Sequence, residues 1–175
     1  MEYQVRRGEP VFRGKAFAVR VDEIERSDGA VQHIEIVEHP GAVTLVPVDD
    51  QGRVLFVRQY RHASGKTLLE LPAGTLEPGE DPAACAGREC QEEVGMAPRR
   101  LTRLGGFFLA PGYSTEYTHL FLAEDLIHSP LDPDADEDIQ VVPLTPAEID
   151  RVVAEGELED AKSLAGLELA RRRFA

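Results

Sequence analysis

Glu89, Glu92 and Glu93 stand at positions i, i+3 and i+4 of one short segment. On a helix that spacing gathers three carboxylates on one face about a turn long. Like charges repel at such distances, and Glu92 and Glu93 in a last turn would also oppose the helix dipole. The segment is therefore frustrated unless a cation offsets it; the competing explanation is a solvated acidic face. Two neighbouring features favour the cation. The loop Leu71-Pro72-Ala73-Gly74-Thr75-Leu76-Glu77-Pro78-Gly79-Glu80 brings two more carboxylates to the helix entrance, and Arg88, four residues before Glu92, can hold that side chain in place. Oxygen-rich clusters suit hard divalent ions such as Mg2+, which takes carboxylates, a backbone carbonyl and waters.

A helix has to carry these groups, and its ends are legible. Asp81-Pro82 supplies an N-cap and a proline at the first helical position, and Gly95 suits the position just past the end. Ala83, Ala86, Gly87, Cys90 and Val94 fall on one apolar stripe that should pack on a sheet. Cys85 falls near the carboxylate face. Alternation predicts strands over 16–21 and 31–37, joined through Ser27-Asp28-Gly29, and over 42–48 and 54–57, joined as a second hairpin through Asp49-Asp50-Gln51-Gly52. The apolar run of the second pair implies helices on both sides of the sheet. Further strands are expected at Leu104–Leu109 and Thr118–Ala123, flanking the Ala110-Pro111-Gly112-Tyr113-Ser114-Thr115 loop. Leu131–Asp138 reads as an acidic loop. Thr145-Pro146-Ala147-Glu148 opens a helix with a capping box, and Asp160–Arg173 forms the last one.

Composition narrows the class. The 175 residues carry 19 basic and 32 acidic side chains, a net charge of −13, with 42% hydrophobic residues, which suits one globular domain. So acidic a surface disfavours nucleic acid, and an anionic substrate needs local arginines or a bridging cation. Cys85 and Cys90 cannot build a disulfide framework, and no apolar run approaches the ~18 residues of a membrane span, so a cytoplasmic protein without a membrane partner is expected. The five histidines are scattered and receive no role.

Gly74, five residues, Glu80, seven residues, then Arg88-Glu89-Cys90-Gln91-Glu92-Glu93-Val94-Gly95-Met96 resembles the complete Nudix box. Seven positions are fixed by type, so a chance match at one start position is on the order of 10⁻⁸. Cys90, where the family has a bulkier aliphatic residue, is a mild departure on the packing face. The flanks Phe56-Val57-Arg58-Gln59-Tyr60-Arg61, Leu71-Pro72-Ala73-Gly74 and the loop holding Pro111, Ser114 and Glu116 resemble the ADP-ribose pyrophosphatase subfamily, Pro111 matching its marker proline beyond the box.

The resemblance implies a mixed α/β (α+β) Nudix fold: an α-β-α sandwich over about 40–175, with an N-terminal antiparallel sheet over about 1–38 that dimerises. It implies Mg2+, with Mn2+ or another divalent ion as substitute, held by the Ala73 carbonyl, Glu89 and Glu93, with Glu92 and Glu80 or Glu77 in support. Arg88 belongs to the catalytic group. The general base is Glu137 on the acidic loop or Glu92. Arg61 and Arg58 match substrate clamps, Glu116 a ribose or water contact, Ser114 and Pro111 the shape of the substrate loop, and Glu35 a residue reaching adenine or ribose from the partner subunit of a homodimer. The implied reaction is hydrolysis of ADP-ribose to AMP and ribose 5-phosphate. The alternatives are another nucleoside diphosphate sugar such as GDP-mannose, or a non-catalytic module that binds ADP-ribose.

Overall fold

The computed structural model describes residues 3–132 and 138–174. The chain divides into two compact units, one comprising the residues up to Gly41 with Phe108–Tyr117, the other Ala42–Phe107 with the residues from Thr118 onward.

The first unit is a three-stranded antiparallel sheet of β1 (Tyr3–Arg13), β2 (Ala18–Arg26) and β3 (Val31–Glu38), in that order. The 16–21 and 31–37 hairpin forms as expected, with Val21 opposite Glu35 and Val19 opposite Val37. β1 was not foreseen: it is exposed along its whole length, so no in-out alternation marks it. The 110–115 loop is tied to β3 by Val37 N–H donating to the Tyr113 carbonyl at 2.8 Å and Thr115 N–H to the Val37 carbonyl at 3.0 Å.

The second unit is layered. A mixed four-stranded sheet runs β7 (Ala73–Thr75), β4 (Ala42–Pro47), β9 (Tyr117–His128), β8 (Met96–Phe108), with β4 antiparallel to β7 and parallel to β9. A three-stranded sheet runs β10 (Ile139–Leu144), β5 (Val54–Arg61), β6 (Lys66–Glu70). The expected second hairpin is corrected here. The Asp49–Gly52 turn forms, with a single bridge between Val48 and Val54, but β4 and β5 then part into separate sheets.

β4 is buried at every position, so both faces need cover. On one face Val43 and Leu45 meet Ala86, Cys90 and Val94 of α1 (Pro82–Val94), with Ala83 partly buried beside them, as foreseen; Gly87, expected on the same stripe, instead has open space where a Cβ would stand. Cys85, placed near the carboxylates by periodicity, is also in this core. On the other face Val46 packs with Ile149 and Val152 of α2 (Pro146–Ala154) and Leu167 and Ala170 of α3 (Ala161–Phe174). The result is an α-β-α sandwich. The capping box of α2 is present, Thr145 Oγ1 accepting from Glu148 N–H while Thr145 N–H donates to Glu148 Oε2 at 2.8 Å.

Candidate active site

α1 begins where Asp81 Oδ1 accepts the N–H groups of Ala83 and Ala84 at 2.9 and 3.2 Å, and it ends at Gly95 in the left-handed region (φ 74°). Both caps match expectation, so the helix phase is set and its carboxylates are aimed. Glu89 and Glu93 are 8% and 5% exposed, which removes the solvated-face explanation for these two. Burying carboxylates is costly without compensating charge or hydrogen bonds.

Arg88 supplies part of the compensation. Its Nη1 donates to Glu89 Oε1 and to Glu92 Oε2, both at 2.7 Å, and its Nε and Nη2 reach the two oxygens of Glu80 at 3.1 and 3.2 Å. The guanidinium thus gathers three carboxylates in a fixed arc. Its hydrogen bonds to Glu80 hold the Glu80 carboxyl down to about 2, well below the usual carboxylate range. Glu77 N–H, on the same turn, donates to Glu80 Oε2 at 2.9 Å, while the Glu77 side chain is exposed. Burial, and then the hydrogen bond with Glu80, pushes the Cys85 thiol up to about 12; burial does the same to Cys90.

Glu93 turns the other way, its Oε2 accepting the Ala73 N–H at 3.0 Å. Gly74 follows, and there a side chain is excluded by space. A Cβ would lie 1.8 Å from Glu89 Cδ, so the carboxylate rests in a cradle that only glycine leaves open.

Glu80, Glu89 and Glu92 share the Arg88 guanidinium and Glu93 lies in the field of Arg61, so four carboxylates stand near two guanidinium groups and a further cation would be favoured. Among the described residues no three His, Cys, Asp or Glu side chains meet in metal-holding geometry, and Arg88 sits within the arc of Glu80, Glu89 and Glu92. The donor set nonetheless fits a hard divalent ion. Glu89 and Glu93 are buried oxygens, and the Ala73 backbone lies beside them.

Arg61 closes β5 and forks the nearly fully buried Glu70, Nε to Oε1 and Nη2 to Oε2, both at 2.8 Å. Burial raises the Glu70 carboxyl, but Arg61 and Lys162 more than offset it and leave it lowered. The hydrogen bond to Glu70 raises Arg61, with Glu93 adding to that field. Arg58 is exposed and, three residues earlier on an alternating strand, points to the opposite face. In the first unit Glu35 is exposed on β3, Pro111 is exposed in the loop, and Ser114 Oγ accepts the Glu116 N–H at 3.1 Å. Glu137 lies outside the described residues. Glu70, Asp160, Lys162 and Ser163 were missed; the clue was Glu70, a charge in an apolar strand next to Leu71-Pro72-Ala73-Gly74.

With the box folded as a loop, a cradle and a carboxylate helix, residues 38–167 match the NUDIX domain family model, and the chain belongs to this family. It is a Nudix hydrolase by fold and site. The ADP-ribose pyrophosphatase of Bacillus subtilis is 38% identical over 157 residues, covering 89% of this chain and 85% of the relative. That of Mycobacterium tuberculosis is 36% identical over 169 residues, covering 95% and 82%. A solved crystal structure of an ADP compounds hydrolase superposes with a TM-score of 0.87 at 26% identity, covering 98% of this chain and 94% of that one. No helix among the described residues is long and apolar enough to cross a membrane.

Proposed function

We propose that the chain hydrolyses the diphosphate of ADP-ribose to AMP and ribose 5-phosphate, in the cytoplasm, as a homodimer and with Mg2+. The observation that carries the reading is the buried Glu89 carboxylate cradled on Gly74 and bound by Arg88, in a chain similar to ADP-ribose pyrophosphatases over most of its length. Glu89, Glu93 and the Ala73 carbonyl would hold the ion, with Glu80 and Glu92 beside them. When bound, Mg2+, or Mn2+ in its place, neutralises the diphosphate and makes water more acidic.

The chain's own residues do the rest. Glu137 accepts the proton of the attacking water, with Glu92 the alternative base. As the new P–O bond forms, the bridging P–O bond breaks, and the leaving phosphate departs with its electron pair. Arg88 keeps Glu89 and Glu92 from swinging apart under mutual repulsion. Arg61, engaged with Glu70 through Nε and Nη2, offers Nη1 to a substrate oxyanion. Pro111 and Ser114 shape the substrate loop, Glu116 contacts the terminal ribose, and Glu35 reaches adenine or ribose from the partner subunit.

The two units act as one hydrolase domain in which the N-terminal sheet makes the dimer. In support, Tyr3, Val5, Val11 and Phe12 of β1 are all more than half exposed, an apolar surface that association would cover. The free, buried thiols of Cys85 and Cys90 fit a reducing compartment.

The test is a phosphatase-coupled screen of ADP-ribose, GDP-mannose, UDP-glucose, NADH and diadenosine polyphosphates with Mg2+ or Mn2+. A kcat/KM for ADP-ribose at least about tenfold above the others is expected. A flat or reordered profile discards the ADP-ribose assignment, and silence with every substrate makes the chain a binding module.

A further inference from the structure

The backbone that leads into the Gly74 cradle is fastened by a helix far along the chain. β6 ends at Glu70 and β7 begins at Ala73, so the Leu71 N–H falls in the gap between two strands. Leu71 is fully buried, and an amide there without a partner would be an orphaned donor. Its partner is Ser163 on α3, 92 positions further on, whose Oγ accepts at 2.6 Å. Ser163 is itself fully buried, so no water takes its place.

Ser163 is in turn oriented. Its hydroxyl donates to Asp160, and its own N–H donates to Asp160 Oδ2 at 3.0 Å. Lys162 pairs with Asp160 at 3.0 Å and with Glu70, the residue before Leu71. One turn along the helix, a Cβ on Gly166 would come 2.9 Å from Leu71 Cδ1, so α3 lies directly against this segment. Past Leu71, the Pro72 carbonyl accepts the Leu45 N–H at 2.8 Å and the Ala73 N–H donates to Glu93. From Glu70 to Ala73 each residue has a defined partner: Glu70 is held by Arg61 of β5 and Lys162 of α3, and Leu71 by Ser163 of α3.

We infer that Ser163, set by Asp160 and Lys162, is a positioning residue for the cation-binding loop: through Leu71 it places the Ala73 carbonyl and the Ala73 N–H that orients Glu93. The inference rests on the reading of Ala73, Glu89 and Glu93 as the groups that hold the ion. Ser163 touches neither substrate nor ion and acts through backbone two residues away. Outer groups that orient ligands of a metal change its affinity by about ten- to hundredfold when removed.

Free Mn2+ has an EPR signal that is lost on binding, so titration with MnCl2 reads affinity without turnover. Wild type, Ser163→Ala, Asp160→Asn, Glu93→Gln and Val152→Ala are compared, with kcat, KM for ADP-ribose and thermal unfolding measured alongside. Val152, buried on α2 in the same core, serves as the control for general loss of stability. Ser163→Ala is expected to weaken Mn2+ by about tenfold or more and to lower kcat, with KM within about twofold of wild type. Asp160→Asn, which keeps a capping side chain, shows the same split to a smaller degree and serves if the alanine variant does not fold. Val152→Ala lowers the unfolding temperature and keeps wild-type Mn2+ affinity. Mn2+ binding by Ser163→Ala equal to wild type, or an equal loss in Val152→Ala, overturns the inference. If Glu93→Gln binds Mn2+ as wild type does, the ion-site reading fails instead; loss in Glu93→Gln with retention in Ser163→Ala sinks the positioning role alone.

Discussion

Gly74→Ala tests the cradle with one methyl group. The added Cβ would stand 1.8 Å from Glu89 Cδ and 1.9 Å from Oε1, about 1.6 Å short of the 3.4 Å where ordinary contact begins. The Gly74 backbone is not in the left-handed region, so alanine brings no torsional strain, and fewer unfolded conformations should offset part of the crowding. Overpacking of this kind costs about 1–3 kcal/mol, which a folded domain survives. The carboxylate must give way, and Arg88 Nη1, tied to both Glu89 and Glu92, moves with it. A misplacement near 1 Å at a catalytic centre lowers rate by about a hundredfold. The expected result, in the phosphatase-coupled assay with ADP-ribose, is a kcat at least about a hundredfold down with the far-ultraviolet circular dichroism unchanged. Gly74→Ala combined with Glu89→Asp, whose shorter side chain makes room, should recover part of the loss. A kcat for Gly74→Ala within twofold of wild type would refute the cradle as the device that places Glu89.

Glu93→Gln keeps the bond from the Ala73 N–H but loses a charge, so turnover should fall by orders of magnitude while thermal unfolding stays near wild type. If Glu137 is the base, Glu137→Gln lowers kcat more than KM; an unchanged kcat returns the role to Glu92. The Glu80 carboxyl lies at about 2 in the folded protein because Arg88 binds it, below its ordinary 4.5. A lowered value contributes stability above pH 4.5 that fades as pH falls toward 2. In chelator, the gap in urea midpoint between wild type and Glu80→Gln should therefore shrink across that window, and a pH-independent gap would contradict the pairing. Sedimentation should give a mass near twice the 19.3 kDa chain; a monomer would end any role for Glu35 across subunits.

Much of this site was legible because its signals are local. The Asp81 and Gly95 caps set the phase of α1, and that phase places Glu89 and Glu93 on the buried side and Arg88 within reach of Glu92. The packing stripe of Ala86, Cys90 and Val94 followed from the same phase. What escaped depends on partners distant in the chain. The Asp49–Gly52 turn reads as a hairpin by composition, yet β4 pairs with β7 and β9, and no local rule announces a parallel neighbour. Exposed β1 lacks the alternation that a one-sided strand shows. Glu70 could be read only as a charge in an apolar strand, since the lysine and the arginine that neutralise it come from α3 and the end of β5. Arg61 was foreseen as a clamp on substrate; the fork on Glu70 shows that two of its donors serve the protein itself.

The parallel pairing of β4 with β9 also sets a timetable. Ala42 meets Thr118 and Leu45 meets Phe121, so the centre of the sheet joins segments 76 positions apart. At about 5–20 residues per second, synthesis leaves roughly four to fifteen seconds between the appearance of one edge and its mate. During that interval Val43, Leu45 and Val46, apolar on both faces of the strand, have no sheet neighbour on that side. Local turns and α1 can form early, while the layer that supports them waits for a distant closure, the kind of topology that folds slowly. The nascent chain thus passes through a period in which a strand that is buried at every position in the fold is bare, and holding chaperones would meet it there, before any catalytic geometry exists.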